Sequence, residues 1–384
     1  MKIKQKHRIF AVILSLMAVI FFGTVCVSAS DENVLPDEYG DFTNSLEGSV
    51  VDELPWGVLS DDPDDVNGAA QEMIRPERLL QMVIEAFGHG ISEVIPSLLT
   101  ILAIVILSAI CYSVSSFCGE GISRAVDICV RLCSFCATSG VAISCVKGLK
   151  DYFEGLFSAV AAFIPLSATM YAMGGNLTSA ASSSATLGVI LSVCQFICGY
   201  TVIPVFCLCL CTSVMSAFDG AAGLLGATVG STVRKWYTTA TAFVMSLLTA
   251  ALASQSILSA KADNAAMRGA KIAVSSFVPL FGGSLSSTLG TLSSSVELLR
   301  GSVGIIGIVI IFSMLLPVIV ELALMRTVFS VGAFCAGLIG CPAEQRIMTE
   351  AGSLYGYLEG AALMCSAVFI IALGIFAASV TPFS

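Results

Sequence analysis

The chain has 384 residues, of which 56% are hydrophobic and only 12% are charged, and its mean hydropathy is +0.92. Soluble domains usually carry about a quarter charged residues, so the composition excludes an ordinary soluble protein. It predicts an all-α, polytopic integral membrane protein. The net charge of -9 argues against nucleic-acid binding, because an acidic surface repels phosphate.

The N-terminus has the order of a secretory signal peptide. A start rich in lysine precedes an apolar run from Ile9 to Val25, and Val27-Ser28-Ala29 offers a small-residue cleavage site. We predict a signal peptide in residues 1–29 that is cut after Ala29. The alternative is an uncleaved first anchor, since the apolar run is long for a signal.

Residues 30–94 are predicted to form an acidic extracytoplasmic arm. Between Asp31 and Glu77 lie 14 of the chain's 27 acidic residues, a composition that buries little apolar surface. The arm is either a solubilising tether or a docking segment for a basic partner. From Arg78 to Val94 the apolar residues return at helical spacing, which predicts an amphipathic helix at the membrane surface.

The remaining sequence predicts about seven transmembrane helices, each needing about 20 mostly apolar residues. The first two lie within 95–156, and Asp127 and Arg131 stand four apart in the second, where they can form an intramembrane ion pair. Pro204 leaves two interpretations of the fourth stretch, one kinked span or a broken pair. The stretches are 95–117, 126–146, 157–173, 185–218, 240–258, 303–324 and 361–380, with a shorter apolar piece at 328–341.

Catalytic, cofactor and metal sites are not predicted. His7 and His89 are the only histidines, which leaves little basis for Ser-His or Cys-His catalysis. No GxxxxGK[ST] phosphate loop occurs, so the chain is not expected to hydrolyse nucleotide. Of the 15 cysteines, 14 lie between Cys111 and Cys365 and none in the arm, the reverse of a disulfide scaffold. We expect a protein that is not an enzyme.

One pattern occurs twice. "AFIPLSATMYAMGGNLTSAASSS" begins at Ala162 and "SFVPLFGGSLSSTLGTLSSS" at Ser276, which sets Pro279 114 positions after Pro165. Pro317 follows Pro204 at nearly the same distance, 113 positions. The spacing predicts an internal duplication, with one membrane repeat in 157–258 and a second in 271–380.

Broken helices at matching places in two repeats are where transporters form their substrate sites. The serine runs fit such breaks, because hydroxyls satisfy freed backbone groups, and they fit close helix packing as well. The predicted pore or functional residues are Pro165, Gly174, Gly175, Pro204, Pro279, Gly282, Gly283, Pro317 and Glu321.

Glu321 is the charge that most suggests function. It lies one turn beyond Pro317, near the end of the predicted sixth span, and intramembrane acids are functional candidates by default. The alternatives are that it reaches the membrane interface or pairs with Arg326.

The stretch "KIAVSSFVPLFGGSLSSTLGTLSSSVELLRGSVGIIGI", from Lys271 to Ile308, resembles the stage III sporulation protein AE family of endospore-forming bacteria. The likeness runs over the whole chain, from the signal and polar arm through "AFIPL" to the hydrophobic C-terminus. It implies a protein of the mother-cell membrane that surrounds the developing forespore. It also implies partners from the same operon, a cytoplasmic ATPase and extracytoplasmic ring-forming proteins, in a channel needed for late forespore gene expression after engulfment. The family brings no catalytic residues.

The sequence therefore predicts the membrane core of a transenvelope channel or secretion complex. Its partners would be the lipid bilayer, the proteins named above and, through Gly and Ser helix faces, further copies of itself. A stand-alone secondary transporter and a non-conducting scaffold for ring-forming proteins are the alternatives.

Overall fold

The computed structural model describes residues 37–44, 75–115, 119–216, 221–277 and 282–378, with Gly68, Ala69, Glu72 and Phe117 as isolated positions. The predicted signal peptide and most of the arm lie outside the described residues, and so does Pro279. The described part of the chain is helical almost throughout. This confirms an all-α, polytopic architecture.

Eight α-helices make up the described chain, and the fourth and fifth are joined by a π-helical segment, Gln195–Thr201, without interruption. The helices are α1 (Asp37–Asn44), α2 (Pro76–Ser115), α3 (Glu120–Met173), α4 (Leu177–Cys194), α5 (Val202–Ser216), α6 (Ala221–Phe277), α7 (Gly282–Ile339) and α8 (Pro342–Ala378).

Six helical stretches among the described residues are long and apolar enough to cross a membrane, close to the predicted number of about seven. The predicted spans 126–146 and 157–173 both belong to α3. Their polar connector holds no proline, and Lys150 and Glu154 form an i,i+4 ion pair of 3.2 Å that supports helix. The connector therefore continues the helix, with its charged side chains exposed.

Within the run 185–218, the described residues 185–216 form one continuous helical stretch. Pro204 removes a backbone N–H and crowds the preceding turn, and the wider π-helical segment directly before it accommodates that change. Two other predicted pieces also merge with longer helices. The amphipathic stretch from Arg78 continues into the first span as α2, and 328–341 is largely the last part of α7.

Neighbouring helices alternate in direction. Gly304 lies against Ala377 and Gly337 against Gln345, so α7 and α8 are antiparallel, with Gly340 at a left-handed φ of 85° in their turn. Ser182 of α4 bonds Ser259 of α6, and Cys194 at the end of α4 contacts Met245 of α6, so α4 is antiparallel to α6. Tyr112 near the end of α2 contacts Glu344 just after the turn at 340–341, so these lie at one end of the bundle, which we call the far end. Tyr171, just before the turn at 174–176, packs on Phe376 near the end of α8, so that turn lies at the other end.

Helix α1 packs against the bundle at that other end, which we call the arm end. Its Tyr39 and Phe42 are each only 2% exposed, and the Phe42 ring meets the Phe163 ring of α3 edge-on at 5.8 Å. Two aromatic side chains three positions apart share a helix face, so a mostly polar octapeptide is anchored through that one face. The arm is attached to the membrane core.

Candidate functional site

Helix α8 carries three glutamates that each face a different helix of the bundle. The hydroxyl of Tyr112 donates to Glu344, and arginines meet the other two. The pairs are Glu344 with Tyr112 of α2 (3.2 Å), Glu350 with Arg234 of α6 (3.5 Å), and Glu359 with Arg326 of α7 (3.5 Å). We call these three glutamates and their partners the α8 acidic column.

Burial makes the column costly to disrupt. The side chain of Glu359 is 7% exposed, and a charge held in a low-dielectric interior needs a close partner. Gly356 leaves room for its ion pair, since a Cβ there would stand 3.2 Å from Nη1 of Arg326. The bare backbone lets the guanidinium cross α8 to reach Glu359.

Neutral hydrogen bonds tie α8 to two further helices. Tyr357 donates to the backbone carbonyl of Val202 at the start of α5, at 3.3 Å. The hydroxyls of Tyr152 on α3 and Ser366 on α8 are hydrogen-bonded. Helix α8 therefore makes a polar contact with α2, α3, α5, α6 and α7, and any tilt of it disturbs all of them.

Asp127 and Arg131 form the ion pair that the sequence suggests. Nη2 of Arg131 lies 2.7 Å from Oδ2 of Asp127, and Nε donates to Oδ1 at 3.1 Å. Two parallel bonds of this kind fix the guanidinium plane. The pair lies on α3 towards the far end, close to Tyr112.

A cleft of about 460 Å³ opens between α2 and α7 beside Pro317. Glu85, His89 and Ser92 line it from α2, and Ser313 and Pro317 from α7. Because proline has no N–H, it leaves the carbonyl four residues earlier, that of Ser313, without its helical donor. The cleft thus combines a proline-containing helix with acidic, imidazole and hydroxyl groups.

Glu321 lies half-buried one turn further along α7. Its carboxyl group is close to the Cys145 thiol of α3, and Oε2 would stand 3.6 Å from a Cβ on Gly148. The alternative of a pair with Arg326 is wrong, because Arg326 reaches across to Glu359. The placement of Glu321 near a span end stays a prediction, although α7 itself continues to Ile339.

The Gly174-Gly175 break separates α3 from α4. Gly175 adopts φ 76°, a conformation that favours glycine. Asp263 of α6 then accepts the backbone N–H groups of Thr178 at 3.0 Å and Ser179 at 2.9 Å, which satisfies two orphan donors at the start of α4. The turn is closed by a carboxylate from another helix.

A cavity of about 50 Å³ lies beside this break. Ser182 bonds Ser259 across it at 2.6 Å, so part of the serine run contributes to α4–α6 contact. Arg300 of α7, only 1% exposed, forms another wall and stacks over the Tyr171 ring at 5.0 Å from its centroid. The cavity is polar on one side and aromatic on the other.

The structure does not gather the predicted residues into one site. Pro165 and Pro204 are exposed on α3 and α5, and the glycine break lies at the arm end, away from Pro317 and Glu321. Gly282 and Gly283 begin α7. Among the described residues, no three side chains of metal-binding type converge.

The sequence pattern does not predict the α8 acidic column, because "PAEQRIMTEAGSLYGYLEG" lies between two predicted spans. A signal was present: Ile347, Ala351, Leu354 and Leu358 recur at helical spacing through that stretch. Their face is buried, as the structure shows. Acids on a helix with such a face are candidates for buried pairs.

The model of the stage III sporulation protein AE family matches residues 66–380 of the chain. This span includes every helix from α2 to α8. Neither the curated proteins nor the solved structures give a significant match.

Proposed function

We propose that this chain, which belongs to the stage III sporulation protein AE family, is the membrane core of a multi-protein channel between mother cell and forespore. Family membership places it in the stage III sporulation machinery, and the six apolar helices make it a multi-pass membrane protein. The channel role, the mother-cell location and the role in late forespore gene expression are the proposal.

The observation that supports conduction is the α8 acidic column together with the Pro317 cleft. Ionisable groups inside a membrane protein are rare and mark ion or substrate pathways. Here three glutamates lie on α8, one of the most buried helices, and two of them, Glu344 and Glu359, are buried themselves. A scaffold needs no such charges in its centre.

The energy for transport through the proposed channel would come from a partner protein. With no phosphate-binding loop in its sequence, the chain is proposed to act without enzymatic activity of its own. A cytoplasmic ATPase and extracytoplasmic ring-forming proteins are the proposed partners, and the acidic arm is the segment that would meet the ring.

A pull-down from cross-linked sporulating cells, with the tagged chain at native level, tests the assembly. Mass spectrometry should recover an ATPase and extracytoplasmic ring-forming proteins. Recovery of the chain alone, under conditions that retain other membrane complexes, would contradict a channel core.

The variant Glu321→Gln tests the pathway. We expect late forespore gene expression to fall with the protein level unchanged, because the amide keeps the shape of the side chain and removes its charge. Glu154→Gln is the matched control, since Glu154 is an exposed acid, 65% accessible, on the outer side of α3. Equal, wild-type expression in both variants would remove Glu321 from the mechanism.

A stand-alone secondary transporter is the second candidate, favoured by the broken α3–α4 junction with its polar cavity. Purified chain in liposomes separates the two. Solute flux driven by a gradient alone supports the transporter, and flux that requires the ATPase supports the channel core.

A further inference from the structure

Glu344 stands out because its carboxyl group is only half satisfied. The residue is 0% exposed, at the first turn of α8 near the far end. Its Oε1 accepts the hydroxyl of Tyr112 at 3.2 Å. Its Oε2 is buried and has no hydrogen-bond partner among the described residues.

The groups that face Glu344 are its own backbone N–H and side chains from three elements. Tyr112 belongs to α2, Asp127 and Arg131 belong to α3, and Cys341 lies in the turn before α8. The positive charge of Arg131 is engaged by both oxygens of Asp127, at 2.7 Å and 3.1 Å. An ionised Glu344 would therefore add a second negative charge beside one arginine.

Burying a carboxylate with one oxygen unsatisfied is far more costly than burying the neutral acid. A neutral carboxyl group carries its proton on one oxygen and still accepts a hydrogen bond on the other. That matches the environment of Glu344, in which Tyr112 donates to Oε1 and Oε2 is left to hold the hydrogen.

We propose that Glu344 is a proton-binding site at the far end of the bundle, occupied in the arrangement described here. The proton comes from water at that end and binds Oε2, which converts the carboxylate to the neutral acid. On its release, the carboxylate competes with Asp127 for Arg131. Proton binding is thereby tied to the packing of α2, α3 and α8.

This site is independent of the proposed channel, because it requires no conduction and no partner. It would exist in the purified chain. Infrared spectroscopy tests it directly, since a protonated carboxyl group absorbs apart from a carboxylate and its band shifts in heavy water.

The experiment compares the detergent-solubilised full chain with Glu344→Gln at neutral pH. The difference spectrum should show loss of one protonated-carboxyl band that moves in heavy water. Glu154→Gln, at an exposed position, should instead lose carboxylate intensity. Loss of carboxylate intensity in Glu344→Gln as well would overturn the proposal.

If Glu344→Gln does not fold, Tyr112→Phe provides a second variant that tests the same proposal. Removing the hydroxyl donor should shift the protonated-carboxyl band of Glu344 and leave its intensity in place. A spectrum without that shift would show that no protonated acid accepts the Tyr112 bond, and the proposal would fail. Circular dichroism and gel filtration establish that each variant is folded.

Discussion

The two halves of the predicted duplication behave differently in the bundle. In the most apolar windows of α7 and α8, 61% and 56% of residues are buried, against 33% in the α4–α5 rod and 17% in α6. Both halves pair a proline-containing rod with a further long helix. The pair α4–α5 and α6 lies at the periphery of the bundle, and the pair α7 and α8 lies at its centre. A similar sequence pattern therefore does not ensure a similar degree of burial.

The two regions differ in the side chains that their helices carry on the surface. Helix α6 exposes large apolar side chains, among them Phe243 (64%) and Leu247 (54%), as a lipid-facing helix does. Helix α8 instead turns acids and tyrosines towards its neighbours. The central hairpin is therefore held by specific polar contacts, and the peripheral one chiefly by apolar packing and hydroxyl bonds.

The largest expected effect comes from breaking the central ion pair. Arg326→Leu leaves Glu359 buried without its cation, which costs about 3–5 kcal/mol of unfolding free energy. Denaturant unfolding in detergent measures it, and Arg326→Leu with Glu359→Leu should recover most of the loss. On the outer face, Lys150→Leu should cost less than about 1 kcal/mol; equal losses at both sites would contradict the contrast.

The arm provides the next test, because α1 docks beside the central hairpin. Phe42→Ala removes a ring that meets Phe163, and burying such a ring contributes about 1.5–3 kcal/mol. We expect the arm to be cut by protease much faster while the helical bundle unfolds as before. Asp41→Ala, at an exposed position of α1, is the control and should be cut at the wild-type rate.

Close packing of α7 on α8 gives the third prediction. A Cβ on Gly304 would lie 2.6 Å from that of Ala377, whereas nothing lies within 4 Å of the same position on Gly301. Gly304→Leu should therefore destabilise by roughly 1–3 kcal/mol through overpacking. A similar loss in Gly301→Leu would mean that helix propensity, and not contact with α8, sets the effect. Thermal unfolding of the two variants distinguishes overpacking against α8 from an effect of helix propensity.

The smallest effect is expected on α6. Phe243→Ala alters an exposed side chain, so the unfolding free energy should change by less than about 0.5 kcal/mol. If stability stays constant while the apparent mass in detergent falls, the α6 face is a contact between copies. A large loss of stability would show that this face is buried in the purified protein.

The apolar pattern was sufficient to predict an all-α membrane protein, because apolar runs of about 20 residues are typical of transmembrane helices. The same pattern does not show which neighbouring apolar stretches belong to one continuous helix. The connector containing Lys150 and Glu154 carries charges as a loop would, but one of its faces is apolar and packs into the bundle, which keeps it helical. The buried residues of that face are Leu149, Tyr152, Phe153 and Leu156. Composition cannot separate a loop from a solvated helix.

The candidate site was predicted in part for a similar reason. Pro317 was identified because proline acts locally, and the structure opens a cleft there. Glu344, Glu350 and Glu359 were overlooked because their meaning depends on partners in α2, α6 and α7. A long-range pair such as Arg234 with Glu350 has no local signature.

The length of α3 has a consequence for how the molecule meets a bilayer. Its 54 residues extend about 81 Å at 1.5 Å per residue, whereas a hydrocarbon layer is about 30 Å thick. Fitting the whole helix inside would require a tilt of about 68°, beyond the usual range of up to about 40°. Only one of the two apolar segments of α3 can therefore lie in the hydrocarbon. Lys147 and Lys150 are exposed between the two segments, so the membrane surface is expected there, and the exposed apolar side chains of the segment outside the bilayer would need to be covered by other protein.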